Sequence, residues 1–137
     1  YKERTEQPEQ REEIEFGVDD LQAALAFLNK LGYRQIGLYE KYRETFSLGD
    51  CQVMLDQLPF GSFIEIEGPS RASLQQSAGR LGLRWELQVR ESYLGLFEAL
   101  RARLEQPVEQ ATFSAFADLP PFDPLLLGLP QALEAEG

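Results

Sequence analysis

Residues 39–67, YEKYRETFSLGDCQVMLDQLPFGSFIEIE, decide the fold because polar and apolar residues alternate along three successive runs. Alternation from one residue to the next predicts β-strands that have one apolar and one polar face. Short turns between such runs favour antiparallel pairing. The predicted strands cover about 33–47, 51–58 and 62–68, and the predicted turns are Gly49-Asp50 and Pro59-Phe60-Gly61.

Charged side chains fall on shared faces of these predicted strands. Lys41 and Arg43 are two residues apart, so a strand directs both to one face. Glu65 and Glu67 share a face of the third strand by the same rule, and Asp56 lies on the strand between. Opposite charges backed by apolar faces are costly to bury without a partner. A polyanion bound with a divalent cation would supply that partner.

The flanking sequence predicts helices packed outside this sheet. Tyr1–Thr5 and residues 11–18 form a further strand pair in this prediction, around a polar turn at Pro8. Asp19 or Asp20 caps a first helix that Gly32 ends, and Ser70 and Ser92 cap two more. Strands followed by helices in this order predict an α+β fold with a mainly antiparallel sheet. Beyond Pro107, repeated prolines exclude a long helix or strand, and this tail is predicted to wrap the domain or dock elsewhere.

Composition narrows the function classes. The 137 residues carry a formal net charge of −10, which argues against general binding to nucleic acid or to an anionic membrane surface. The chain contains no histidine, so histidine-based triads and metal sites are excluded. Cys51 is the single cysteine, which rules out an intramolecular disulfide and fits a reducing cytoplasm. No apolar run approaches the roughly 20 residues of a membrane span.

The order of these motifs resembles the CYTH domain. The resemblance rests on K-x-R at Lys41 and Arg43, a strand ending in L-D at Asp56, a glycine-containing turn, and F-I-E-I-E through Glu67. It extends backward to YKERTE and REEIEFGV and forward to LGLRWELQVRESYLGLFEAL, over roughly residues 1–104. Residues 105–137 are predicted to be a proline- and leucine-rich extension. CYTH proteins are triphosphate tunnel enzymes, which include class IV adenylate cyclases and inorganic or thiamine triphosphatases.

The resemblance implies an antiparallel β-barrel whose charged interior binds a triphosphate with Mg²⁺ or Mn²⁺. Lys41 and Arg43 match catalytic, phosphate-binding positions, and Lys2 matches another phosphate-binding position. Arg11 is a further candidate for phosphate. The residues that match metal-binding positions are Asp56, Glu65 and Glu67. The implied ligands are ATP, thiamine triphosphate or tripolyphosphate, and a homodimer is compatible with the family.

The family's opening E-x-E-x-K strand, and a following strand with further arginines, have no match in this chain. We therefore interpret Tyr1 as lying inside the domain and expect this chain alone to be inactive. Three functions remain open: a class IV adenylate cyclase, which ranks first, a triphosphatase, and a non-catalytic polyphosphate- or nucleotide-binding module. A plainer interpretation of Lys41 and Arg43 is a solvated sheet face salt-bridged to its neighbours, and of Glu65 and Glu67 a charged strand edge.

Overall fold

A computed structural model describes residues 2–4, 11–106, 108–119 and 127–129, with side chains described from Ile14 onward. The chain divides into two compact units, Tyr1–Gly37 and Leu38–Gly137, and each is described by itself. Among the described residues, no helix has the length and apolar character needed to cross a bilayer.

The first unit contains a strand pair and one helix. Strand β1 (Lys2–Arg4) pairs antiparallel with β2 (Arg11–Glu13). The return strand was predicted over 11–18 and is shorter in the structure, where it ends at Glu13 and residues 14–18 belong to no strand. Helix α1 (Leu21–Lys30) begins as predicted, with the Asp20 side chain accepting a hydrogen bond from the backbone N–H of Ala23 at 3.0 Å.

The second unit is built on three antiparallel strands in the order β3 (Tyr42–Leu48), β4 (Cys51–Leu58) and β5 (Gly61–Glu67). The central strand coincides with its predicted bounds. The first was predicted over 33–47 and is wrong at its start, because residues 33–41 pair with no strand in the described part of the chain. Instead, a single parallel bridge joins Tyr39 to Ala111.

Strand register sorts the side chains of this sheet into two faces. Arg43 lies opposite Asp56, and Asp56 lies opposite Phe63. Two residues further along the strands, Thr45, Met54 and Glu65 lie side by side. These residues share one face, as the alternation predicted for the charged positions. The other face carries exposed apolar side chains, namely Tyr42, Phe46, Leu55 and Ile64.

Helices follow the sheet in chain order. They are α2 (Arg71–Arg80), a 3₁₀ turn (Trp85–Leu87), α3 (Tyr93–Arg101) and the short α4 (Phe113–Ala117). The predicted caps are confirmed, since the Ser70 and Ser92 hydroxyls each accept a hydrogen bond from the backbone N–H three residues on, at 3.1 Å in both cases. Contacts between the chain's three-stranded sheet and α2 involve β4 and β5. The fold is therefore α+β, as predicted.

The core of this unit lies where α3 meets the turn after β4. Its buried residues come from the end of β4, from α3 and from the segment that follows it: Leu58, Phe60, Leu96, Phe97, Leu100, Val108 and Ala111. The residues after Leu104 thus contribute to the core, with Ala111 fully buried. Ala111 also exchanges backbone hydrogen bonds with Leu38 and Glu40 at 3.0 and 2.9 Å, which fixes the chain just before Lys41.

Candidate functional site

The centre of the candidate site is a buried carboxylate in the middle of β4. The Asp56 side chain has no exposed surface, and Asp56 lies directly across from Arg43 on the neighbouring strand. An ionised carboxylate in such a position is stable only if it is paired and hydrogen-bonded. The groups around Asp56 are therefore expected to be cations and strong donors.

Three side chains donate to Asp56. Arg43 binds it through two hydrogen bonds, from Nε to Oδ1 at 2.6 Å and from Nη2 to Oδ2 at 2.5 Å. Lys41 Nζ donates to Oδ2 at 3.1 Å, and the Tyr93 hydroxyl donates to the same oxygen at 2.9 Å. Both carboxylate oxygens are thus engaged, and two cations are held side by side on one face of the sheet.

Arg43 also donates to a second acid. Its Nη2 forms an ion pair with Oε2 of Glu65 on β5, so one nitrogen serves two carboxylates. The Glu65 side chain is 36% exposed and that of Arg43 is 30% exposed, whereas the Asp56 carboxylate is sealed from solvent. The pair between Arg43 and Glu65 therefore lies at the open edge of the network.

These contacts shift the protonation equilibria of the network. Burial alone would raise the pKa of Asp56, but the hydrogen bonds from Arg43, Lys41 and Tyr93 outweigh it and lower that pKa from 3.8 to about 2. The hydrogen bond to Asp56 raises the pKa of Arg43. Burial, followed by the bond to Asp56, raises the pKa of Tyr93. At neutral pH the carboxylate and guanidinium are therefore charged and the phenol is neutral.

Tyr93 is a site residue that the sequence analysis did not single out. It is the first residue of α3, and its ring lies edge-on to Tyr39 at 6.0 Å and tilted against Phe63 at 5.2 Å. Lys41 Nζ lies 5.2 Å from the centre of the same ring, a cation–π contact. Tyr93 thus packs and also orients both Asp56 and Lys41.

The predicted metal ligands are not gathered into one cluster. In the part of the chain that the structure describes, no three acidic, cysteine or histidine side chains are arranged to hold a metal ion. Asp56 is occupied by Arg43, Lys41 and Tyr93. Glu67 is exposed and stands two residues beyond Glu65 on the same face of β5. Mg²⁺ and Mn²⁺ commonly use one or two carboxylates together with substrate phosphates, so metal binding by Glu65 and Glu67 stays a prediction.

Two predicted phosphate ligands belong to the first unit. Lys2 lies on β1 opposite Glu13, and Arg11 lies on β2 opposite Arg4. The side chains of Lys2 and Arg11 lie outside the described residues, so their role stays a prediction.

A family model described as the CYTH domain matches residues 1–92. The matched range includes Lys41, Arg43, Asp56, Glu65 and Glu67, and it ends one residue before Tyr93. Neither the curated proteins nor the solved structures include a significant match to the chain.

Proposed function

Since this chain belongs to the CYTH domain family of triphosphate tunnel enzymes, we propose that it processes a triphosphate in a metal-dependent reaction. The observation that carries the proposal is the pairing of Lys41 and Arg43 on one buried carboxylate, Asp56. Two cations fixed side by side suit the oxygens of a polyphosphate chain. We further propose that the three-stranded sheet forms one wall of a barrel whose inner face carries these residues.

The partial exposure of the cations supports a binding role over a purely structural one. Lys41 keeps 25% and Arg43 30% of its side-chain surface open to solvent, while Asp56 keeps none. Full enclosure would remove two cations from water at a cost, whereas partial exposure leaves each cation able to reach a ligand from the solvent. An ammonium group has three donors, and the bond to Asp56 uses one of them.

Each residue then has a role. Lys41 and Arg43 bind phosphate oxygens and stabilise the charge that develops during transfer, with Lys2 and Arg11 as proposed additional ligands. Glu65 and Glu67 would hold Mg²⁺ or Mn²⁺, which would lower the pKa of the attacking hydroxyl and neutralise the leaving group. For Asp56 we propose a positioning role towards Lys41 and Arg43 in place of the metal ligation that the sequence predicted.

Among the family's reactions, we rank the class IV adenylate cyclase first, on the resemblance of L-D-Q-L-P-F-G-S-F-I-E-I-E and of the following S-Y segment. In that reaction the 3′-hydroxyl oxygen of ATP bonds to the α-phosphorus, the bond from that phosphorus to the bridging oxygen breaks, and pyrophosphate leaves. In the triphosphatase alternative, a water oxygen bonds to the terminal phosphorus and the bond from that phosphorus to the bridging oxygen breaks. The diphosphate leaves, and the attacked group becomes inorganic phosphate. The binding-module alternative involves neither step.

Product analysis distinguishes these functions. The full-length protein is incubated with ATP and Mg²⁺ or Mn²⁺, and the products are separated. We expect cyclic AMP with pyrophosphate; ADP with phosphate would establish a triphosphatase instead. Metal-dependent binding of ATP or tripolyphosphate without product would establish the binding module.

Two substitutions test the residue assignment. Changing both Glu65 and Glu67 to Gln should abolish metal-dependent turnover and leave the fold intact. Lys41→Glu should weaken triphosphate binding far more than Lys30→Glu, at an exposed position on α1. Equal effects of the two lysine substitutions would mean that Lys41 is merely a solvated charge.

A further inference from the structure

The four charged side chains of the network balance one another before any ligand arrives. Lys41 and Arg43 each carry a positive charge, and their partners Asp56 and Glu65 each carry a negative one. A polyphosphate that approaches Lys41 and Arg43 therefore meets no net positive charge from these four groups. Binding requires that one of the two carboxylates give up its hold on a cation or acquire a new counter-charge.

The two carboxylates are not equally replaceable. Asp56 is sealed from solvent and receives four hydrogen bonds, so releasing it would leave a buried charge without partners. Glu65 is 36% exposed and bonds to Nη2 of Arg43, a nitrogen that Asp56 shares. A partly solvated carboxylate can move into water at little cost. Glu65 is therefore the group that an incoming anion displaces.

Displacement of Glu65 would leave Arg43 in place. Its Nε and Nη2 remain bonded to the two oxygens of Asp56, so the guanidinium keeps its orientation. The position that the Glu65 oxygen occupies against Nη2 is then open to a phosphate oxygen, which seeks the same donor. Glu65 thus takes the position against Nη2 that a phosphate oxygen would take.

From this arrangement we propose that Glu65 makes the site discriminate against polyphosphates that lack a bound divalent cation; this inference rests on the proposed function. A metal-free polyphosphate must displace Glu65 and then remain beside its negative charge. A polyphosphate that carries a cation offers the displaced carboxylate a counter-charge, with Glu67 on the same face of β5 as a second oxygen donor. Glu65 would thus compete with a metal-free ligand for Arg43, and a bound cation would relieve that competition.

The test measures binding rather than turnover. Affinity for inorganic tripolyphosphate is measured by calorimetry with excess chelator and again with saturating Mg²⁺. For Glu65→Gln and for Glu65→Ala, we expect affinity for metal-free tripolyphosphate to rise about tenfold and affinity in Mg²⁺ to fall. Opposite signs in the two conditions are a result that loss of fold does not produce.

Glu44→Gln is the matched control. Glu44 is an exposed neighbour of Arg43 on β3 and points to the opposite face, so the variant removes the same charge without touching the network. We expect its two affinities to stay near those of the unaltered protein. An equal gain for Glu44→Gln would overturn the inference, because the effect would then come from net charge alone.

The remaining outcomes separate the two proposals. If the unaltered protein binds tripolyphosphate in Mg²⁺, but neither Glu65 variant gains metal-free affinity, the discrimination is overturned and the proposed function stands. If the unaltered protein binds tripolyphosphate, thiamine triphosphate and ATP in neither condition, both proposals are overturned.

Discussion

Arg43 and Asp56 face each other across two adjacent strands and are joined by two parallel hydrogen bonds, of 2.6 and 2.5 Å. The strand register sets the distance between the two backbones, and the two parallel hydrogen bonds set the rotation of the guanidinium. Asp56 therefore determines the orientation of Arg43, the more exposed of the two cations. This relationship has consequences for binding, stability and pH dependence.

Arg43→Lys keeps the charge and loses the two parallel hydrogen bonds to Asp56. An ammonium group cannot reproduce the planar contact with both Asp56 oxygens and also reach Glu65. We expect affinity for tripolyphosphate in Mg²⁺ to fall about tenfold, measured by calorimetry. Arg101→Lys, which alters an exposed ion pair with Glu98, should leave that affinity unchanged. Equal affinities for the two variants would show that charge alone suffices at position 43.

Asp56→Asn leaves two cations without their buried counter-charge. We expect the free energy of unfolding to fall by about 3 kcal/mol, measured by urea denaturation, because breaking a buried pair by removing one partner is strongly destabilising. Asp118→Asn removes the same charge at an exposed position and should cost less than about 0.5 kcal/mol. A loss as small at position 56 would contradict the central role of this carboxylate.

Acid should remove the stability that Asp56 contributes. Its pKa is lowered from 3.8 to about 2 on folding, so the contribution is fully present above pH 3.8 and is lost as the pH falls towards 2. The difference in unfolding free energy between the unaltered protein and Asp56→Asn should therefore shrink over this range, by about 2 kcal/mol. A difference that stays constant from pH 5 to about 2 would contradict the shift.

Tyr93→Phe removes a hydroxyl donor and keeps the ring. Since the hydroxyl donates to the buried carboxylate of Asp56, its loss should lower the free energy of unfolding by about 1–2 kcal/mol, measured by urea denaturation. The control is Tyr42→Phe on the opposite, exposed face, where the ring packs against Phe113 at 4.8 Å. We expect no measurable change for Tyr42→Phe, and an equal loss would assign the effect to a general property of tyrosine.

Local patterns predicted most of the second unit. The alternation of residues 51–58 gave the central strand its bounds, and the hydroxyls of Ser70 and Ser92 marked two helix starts. The two-residue spacing of Lys41 and Arg43 predicted that their side chains share one face. The two helix caps and the shared face depend on residues close together in the sequence, where backbone geometry alone determines the result.

Features that depend on distant partners were missed. Tyr93 meets Asp56 across 37 positions of the chain, and nothing in its own segment distinguishes it from a packing residue. The overlong strand at 33–47 has the same origin, since a strand ends where its partner ends and not where its apolar pattern ends. Metal ligation by Asp56 was implied by the family resemblance, and the structure places three donors around that carboxylate.

Tyr93 begins the helix whose Leu96, Phe97 and Leu100 are buried in the core. The polar site and the apolar interior therefore share one helix. Thermodynamic reciprocity then applies in both directions. A bound anion should slow hydrogen exchange in α3. Replacing Phe97 by a smaller residue, which leaves a cavity in the core, should weaken anion binding at a site that Phe97 does not contact.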